Sequence, residues 1–254
     1  MSAAEIFSVQ GKVAFITGAA QGLGRAMAEA LVENGASVAL FDRDAKLLDE
    51  TAQNLRQQGG QVLALPGDVT DDAAVTAAIA ETTARFGPLG ICIANAGISD
   101  ARPGPLHRAD EADWQRVLDV NLNGLFYTCR AALAAMVPLG RGKLITVASM
   151  WGLAAPAGVF PRPAYAASKG AVVNLTREMA LHYADKGIQV NALCPGIFQT
   201  ETRPRDPAAA IAYTPMGRLG RPDEIKGAML FLASSASDFV TGTTLVIDGG
   251  VLAR

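Results

Sequence analysis

Short apolar runs alternate with amphipathic stretches along almost the whole sequence, and this alternation is the feature that most restricts its fold. The apolar runs are short enough for buried strands, and the longer stretches have the spacing of helices. The predicted strands lie at residues 12–17, 37–41, 61–65, 91–94, 143–148, 188–193 and 244–247. The predicted helices lie at residues 24–34, 45–58, 71–86, 109–136, 165–184 and 222–232. Strands that alternate with helices predict a parallel sheet covered by helices on both faces.

The length and the composition favour a single domain. The chain has 254 residues, of which 50% are hydrophobic, so a sizeable core is available. No shift of composition marks a boundary, and we expect one domain over residues 1–254. The stretch 200–215 is the least regular and is rich in proline, arginine and alanine. We predict that it forms a mobile lid over a pocket.

Charge and cysteine content argue against several kinds of partner. The formal net charge is -2 and no basic run is present, so nothing indicates that the chain binds nucleic acid.

Cys92, Cys129 and Cys194 form no C-x-x-C pair and have apolar neighbours, which favours buried thiols in a reducing compartment. With two histidines, we expect no metal site. No signal peptide and no apolar run of roughly 18 residues is evident, so we expect a cytoplasmic protein without a membrane span.

A glycine-rich turn follows the first predicted strand and opens the first predicted helix. It places Gly18, Gly22 and Gly24 in a GxxxGxG spacing, which differs from the GxGxxG fingerprint. Glycines here let the backbone turn sharply and let a pyrophosphate approach the N–H groups at the helix start. A plain structural turn is the alternative. The order strand, glycines, helix, strand and acidic residue favours dinucleotide binding.

The acidic residue is Asp42, which follows the second strand and lies 20 residues beyond Gly22. This is about the offset of a carboxylate that binds the ribose 2′-OH and would repel the 2′-phosphate of NADP. Gln21 is uncharged, whereas Arg43 is a possible phosphate contact. The pattern therefore favours NAD over NADP. A role of Asp42 as the cap of the next helix is compatible with this.

Other polar groups end the third and fourth strands. Asp68-Val69 and Asn95-Ala96-Gly97 lie where they can line the adenine and ribose path, although each is also typical of a turn or a cap.

Tyr165 and Lys169 are four residues apart at the start of a predicted helix, so both project from one face. A nearby ammonium favours the phenolate and lowers the pKa of a phenol from its usual value near 10. A solvated surface pair is the alternative. Ser149 ends the fifth strand, where its hydroxyl can hold a substrate oxygen, and Pro195-Gly196 and Thr200 follow the sixth. Open parallel sheets bind ligands at these strand ends.

Together these residues resemble the short-chain dehydrogenase/reductase family. The resemblance is carried by Thr17-Gly18, Gly22, Gly24, Asn95-Ala96-Gly97, Asn121, Ser149, Tyr165, Lys169, Pro195-Gly196, Thr200 and Asp248-Gly249-Gly250. These motifs span essentially the whole chain. They imply an α/β fold, a single doubly wound Rossmann-type domain with a seven-stranded parallel sheet flanked by helices, and they imply an NAD(H) cofactor.

The resemblance also implies residue roles. Tyr165 would be the general acid/base, Lys169 would lower its pKa, and Ser149 would orient the carbonyl oxygen. Asn121 would hold a water that links Lys169 to solvent. The cofactor would contact Gly18, Gln21, Gly22, Leu23, Gly24, Asp42, Arg43, Asp68, Val69, Asn95, Ala96, Gly97, Tyr165, Lys169, Pro195, Gly196, Ile197 and Thr200.

The implied reaction is hydride transfer between nicotinamide and a hydroxyl or ketone carbon, with Tyr165 exchanging the proton. The expected substrate is a polyol, a sugar acid or a cyclic or aliphatic secondary alcohol, and the expected assembly is a homotetramer paired through the long helices. An NADPH-dependent 3-oxoacyl reductase is one alternative, against which Asp42 argues. A non-catalytic NAD-sensing protein is another, against which the intact set Ser149, Tyr165 and Lys169 argues.

Two departures from the family pattern concern the substrate side. Ser149 and Tyr165 are 16 residues apart, a few more than usual, with the extra chain at 158–163, and the loop 201–212 is short. The candidate pocket residues are Met150, Trp151, Val159, Phe160 and Arg162. For Trp151 and Phe160, a place in the pocket and a place in the core or an interface are equally favoured. For Arg162, a solvated side chain is favoured over contact with a carboxylate.

Overall fold

The computed structural model describes residues 2–155, 161–201 and 207–253. Its centre is a seven-stranded sheet with the order β3-β2-β1-β4-β5-β6-β7, in which every pair of neighbours is parallel. The strands are β1 Val13–Thr17, β2 Ser37–Asp42, β3 Gln61–Pro66, β4 Ile91–Ala94, β5 Gly142–Val147, β6 Ile188–Pro195 and β7 Thr244–Ile247. The predicted fold class is confirmed, and each predicted strand differs from the observed one by at most two residues at either end.

Helices connect the strands. They are α1 Ala3–Ile6, α2 Gly22–Glu33, α3 Ala45–Gln57, α4 Asp72–Phe86, α5 Glu111–Leu118, α6 Gly124–Met136, α7 Pro163–Tyr183, α8 Ala208–Tyr213 and α9 Lys226–Ala233. The chain leaves β1 toward β2 and β3 and then returns to β4 on the other side of β1. This reversal opens a crevice at the carboxyl ends of β1 and β4, where sheets of this kind bind ligands.

Three helix predictions are corrected at their ends. Helix α2 begins at Gly22 rather than residue 24, because Gln21 is the last extended residue before it. Helix α7 begins at Pro163 rather than residue 165, since a proline fits the first turn of a helix, where its missing N–H leaves no bond unmade. The predicted helix 222–232 starts with a 3₁₀ turn, Pro222–Ile225, and continues as α9.

The predicted helix 109–136 begins later and is not uniform. It starts at Glu111, after Asp110 accepts a hydrogen bond from the Asp113 amide, and a π-helical segment, Asp119–Asn123, separates α5 from α6. By length and mean hydropathy (1.2), the run Glu111–Leu139 meets the criteria of a membrane span. In the fold, the run packs against α4, α7, β4 and β5, and 39% of its apolar window is buried.

The core consists of two apolar clusters, one on each face of the sheet. The cysteines Cys92, Cys129 and Cys194 are buried, as predicted, and burial raises the pKa of Cys129 to about 12 and of Cys194 to about 11. A third, smaller apolar cluster contains Trp151 and Val251 and lies beside the crevice.

Part of the substrate side lies outside the described residues, including the predicted pocket residues Val159 and Phe160 and positions 202–206 of the predicted lid. The described end of that stretch forms α8. The lid stays a prediction.

Candidate active site

A cavity of about 680 Å³ opens at the carboxyl ends of the central strands. Its volume lies within the usual range of small-molecule and cofactor sites. All eighteen predicted cofactor residues line it, and so does Ser149. Asn121 is the one predicted catalytic residue that is absent from its lining as described.

The glycine loop has the shape of an anion site. Gly18 has a φ of +65°, and a Cβ there would lie 2.8 Å from the Ala96 Cα. A Cβ at Gly24 would overlap the carbonyl oxygen of Gly18. The side chain of Gln21, which precedes α2, makes no capping hydrogen bond. The first residues of α2, Gly22, Leu23 and Gly24, line the cavity, and the N–H groups at such a helix start fit a pyrophosphate group.

Two side chains hold this loop against β4. The Thr17 hydroxyl accepts hydrogen bonds from the amides of Asn95 (3.0 Å) and Ala96 (3.1 Å). The Asn95 side-chain amide donates to the carbonyl oxygens of Thr17 (2.9 Å) and Gly18 (3.0 Å). Asn95 thus lines the cavity and also braces the glycine loop. The bracing role of Thr17 was not predicted, since its partners lie about 80 residues away in the sequence.

Asp42 lies at the end of β2 with its carboxylate against the backbone. Its Oδ2 accepts a hydrogen bond from the Ala20 amide (3.1 Å), and its Oδ1 accepts one from the Asp44 amide (3.1 Å). Asp44, not Asp42, caps α3, through a bond from the Leu47 amide (3.0 Å). The alternative of Asp42 as a helix cap is therefore wrong, and its charge remains at the cavity wall.

Lys169 is 3% exposed, which contradicts the alternative of a solvated surface pair. Its Nζ donates a hydrogen bond to the Val147 carbonyl oxygen (2.7 Å) and lies 5.7 Å from the centroid of the Tyr165 ring. Burial lowers the pKa of Lys169 from 10.5 to about 8, opposed by the neighbouring Cys194 thiol. The protein thus holds an ammonium group beside a phenol inside the cavity.

Ser149 is 4% exposed and faces the same cavity. Its Oγ accepts a hydrogen bond from the Trp151 amide (3.1 Å) and caps the 3₁₀ turn Met150–Gly152. This bond uses the oxygen as an acceptor, so the hydroxyl hydrogen can still be donated to a ligand oxygen.

Asn121 supports the site from behind. Its side chain is fully buried, accepts from the Ile98 amide (2.8 Å), and donates to the Ile98 carbonyl oxygen (2.9 Å) and the Ser168 hydroxyl (3.0 Å). A Cβ at Gly97 would lie 3.3 Å from Lys169 Nζ and 3.4 Å from Asn121 Oδ1. Asn121 therefore holds the segment after β4 close to Lys169.

The sequence reasoning missed Asp100. Its carboxylate accepts from the amides of Ala164 (3.2 Å) and Tyr165 (3.0 Å), so it caps the helix that carries Tyr165. A separation of 65 residues from Tyr165 leaves no local signal for this contact.

Of the three candidate pocket residues within the described ranges, Trp151 and Arg162 line the cavity. The Trp151 ring stacks at a tilt on Tyr213 of α8, with centroids 5.7 Å apart, and forms an apolar wall. Met150 is buried and is absent from the described lining. Arg162 donates a hydrogen bond from Nη1 to the Ser99 hydroxyl (2.7 Å).

Comparison with known proteins agrees with this geometry. Residues 18–252 match the family model described as enoyl-(acyl carrier protein) reductase. A galactitol 2-dehydrogenase (L-tagatose-forming) of Cereibacter sphaeroides is 42% identical over 252 residues, which is 96% of each chain.

Solved structures resemble the whole chain as well. A short-chain type dehydrogenase/reductase from Mycobacterium marinum has a TM-score of 0.91 and 36% identity, with 100% of both chains covered. A gluconate 5-dehydrogenase from Burkholderia cenocepacia J2315, in complex with NADP and tartrate, has a TM-score of 0.91 and 37% identity, again with 100% of both chains covered.

Proposed function

The chain belongs to the short-chain dehydrogenase/reductase family, whose members bind a nicotinamide cofactor, and we propose that it transfers a hydride between NAD(H) and a secondary alcohol or ketone. Two of the relatives named above are dehydrogenases of polyhydroxy compounds, namely galactitol and gluconate. We propose a substrate of the same broad class, an alcohol carbon flanked by carbon on both sides.

The observation that carries this proposal is the buried ammonium of Lys169 beside the Tyr165 ring, in one cavity with Ser149. A buried cation stabilises a phenolate and makes a phenol a usable acid and base near neutral pH. A protein that only senses a nucleotide has no need of such a pair.

The chain's own residues manage the proton. When bound, the nicotinamide cofactor supplies the hydride in reduction and accepts it in oxidation. In reduction, the Tyr165 phenol donates its proton to the carbonyl oxygen, and the Ser149 hydroxyl donates a hydrogen bond to the same oxygen. The Lys169 ammonium stabilises the phenolate that remains. In oxidation, that phenolate takes the proton of the alcohol.

Asp42 supports NAD as the cofactor. Its carboxylate is fixed at the cavity wall by two backbone amides, so it cannot easily turn away from a 2′-phosphate. The opposing feature is Arg43, which is exposed and also lines the cavity. The Burkholderia relative in complex with NADP makes this choice a necessary part of the test.

The test is reduction of a panel of ketones and keto sugars with NADH and with NADPH, repeated with Tyr165→Phe. We expect kcat/KM with NADH to exceed kcat/KM with NADPH by at least about tenfold. We expect Asp42→Asn to lower this NADH-to-NADPH ratio, because it removes the charge that repels the 2′-phosphate. We expect Tyr165→Phe to lower turnover by about 10²- to 10⁴-fold while the Kd for NADH changes by no more than about twofold. Turnover retained in that variant would contradict the assigned role of Tyr165, and a ratio that favours NADPH would contradict the cofactor assignment.

We also propose that copies of the chain pair through α6 and α7 and form a homotetramer. Phe126 on α6 is 44% exposed and Leu181 on α7 is 81% exposed, and such apolar side chains favour burial between subunits. Light scattering on the purified protein measures the mass of the assembly directly.

The cytoplasmic location stays a prediction.

A further inference from the structure

Arg162 occupies a position in the cavity that the proposed reaction leaves without a role. It directly precedes α7, lies three residues before Tyr165, and is half-buried in the cavity wall that also contains Ser149. The sequence alone favours a solvated arginine at this position. In the structure, Arg162 instead lines the same cavity as Ser149 and Tyr165.

The charges that line the cavity are separated along the sheet. Of the described acidic lining residues, Asp42 ends β2 and Asp68 follows β3, whereas the Tyr165 end lies beside β5. Three strand spacings separate β2 from β5, which is about 14 Å. Among the described lining residues, Arg162 and Lys169 are the cations at the Tyr165 end, and Lys169 is bonded to a backbone carbonyl.

The guanidinium of Arg162 is oriented but not neutralised. Its Nη1 donates to the Ser99 hydroxyl, and Ser99 is itself held through its carbonyl oxygen by Arg116 Nη2 (3.0 Å). Within the described ranges, no carboxylate lies within 4.0 Å of Arg162. The neighbouring Asp100 carboxylate accepts the two amides at the start of α7. Because a guanidinium carries five N–H donors, most of those of Arg162 remain for a ligand.

We propose that Arg162 is a subsite for a carboxylate of the substrate, so that the substrate is a hydroxy acid and its product the corresponding keto acid. This rests on the proposed function, because the reacting carbon must lie at Tyr165. A planar guanidinium held by one serine presents two parallel N–H groups that match the two oxygens of a carboxylate. The apolar wall formed by Trp151 then faces the carbon skeleton between the two ends.

The experiment compares acids with their own carboxamides. The probes are three keto acids with different carbon skeletons, each paired with its carboxamide. The acids are 4-oxocyclohexanecarboxylate, 4-oxopentanoate and 5-keto-gluconate. Binding to the complex of enzyme and NADH is measured by calorimetry in the Tyr165→Phe background, where turnover does not interfere. The variants are Arg162→Gln and, as a matched control, Arg102→Gln, whose side chain is 79% exposed, pairs with Asp110 and is outside the described lining.

We expect at least one acid to bind about 10- to 100-fold more tightly than its amide. Arg162→Gln should remove this preference and leave the affinity for the amide within about threefold, whereas Arg102→Gln should preserve it. These factors correspond to about 1.4–2.8 kcal/mol, which is the magnitude of a hydrogen bond to a charged group. The absence of any preference for an acid in all three pairs, or an equal loss for acid and amide in Arg162→Gln, would overturn the proposal.

Failure of the proposed function gives a different result. If the enzyme with an intact Tyr165 reduces none of the ketones while acids still bind through Arg162, the subsite stands and the reaction does not. If ketones are reduced but acids and amides bind alike, the reaction stands and the subsite does not.

Discussion

Lys169 places a charged group in a buried part of the cavity wall, and its replacement by methionine removes the charge while keeping a side chain of similar length. The wild-type side chain is 3% exposed, and its Nζ has a hydrogen bond to the Val147 carbonyl oxygen. The substitution therefore separates two consequences of the same charge, namely its effect on stability and its effect on the reaction.

The size of the stability effect follows from the pKa of Lys169, which burial lowers from 10.5 to about 8. Since each pKa unit corresponds to about 1.4 kcal/mol, the folded protein at pH 7 carries a cost of about 3 kcal/mol for keeping this charge. Loss of the hydrogen bond to Val147 opposes the gain by about 1 kcal/mol. We expect Lys169→Met to raise the free energy of unfolding at pH 7 by about 2 kcal/mol.

The pH dependence has a definite sign. Below pH 8 the lysine is charged in both states, so the folded wild type carries the full cost. Between pH 8 and 10.5 the folded protein releases its proton while the unfolded chain keeps it, and the cost declines as the pH rises. The advantage of the methionine variant should therefore shrink by about 2 kcal/mol between pH 7.5 and pH 10.

The assay is urea denaturation of both proteins without cofactor at pH 7.5, 8.5, 9.5 and 10. Groups that titrate in both proteins cancel in the difference between them. In parallel, turnover of the methionine variant should fall by about 10²-fold or more, because the phenolate loses its cation. A stability difference that does not change with pH would refute the argument that burial lowers the pKa of Lys169.

Three further substitutions test the supports of the site. Gly24→Ala should raise the Kd for NADH at least about 100-fold in a fluorescence titration, because the new Cβ overlaps the carbonyl oxygen of Gly18. Gly227→Ala, where a Cβ meets open space, should leave the Kd unchanged. Equal Kd values for the two variants would contradict the geometry. Thr17→Val should lower the free energy of unfolding by about 1–3 kcal/mol, because two amides lose their acceptor, and Thr17→Ser should not. Asp100→Ala should lower the free energy of unfolding by about 1 kcal/mol, because the start of α7 loses its cap. It should also lower kcat more than it changes KM, since α7 carries Tyr165. A wild-type kcat in this variant would argue against the assignment.

Much of the fold was predictable because it depends on the properties of residues that are neighbours in the sequence. Each strand is a short apolar run, and buried parallel strands require little else from their sequence. The glycine turn was predictable for a similar reason, since a positive φ at Gly18 and the close approach at Gly24 exclude other residues. The errors at Gly22 and Pro163 lie at helix ends, where the last extended residue and the first helical one look alike in sequence.

The sequence by itself determined the alternation of strands and helices, the glycine turn and the four-residue spacing of Tyr165 and Lys169, because each is a property of neighbouring residues. Only the tertiary structure decided that Lys169 is buried, that Asp100 caps α7 and that Arg162 faces the cavity. The physical reason is that burial and hydrogen bonding depend on which strand ends meet. Chain segments more than 60 residues apart come together only when the sheet has formed.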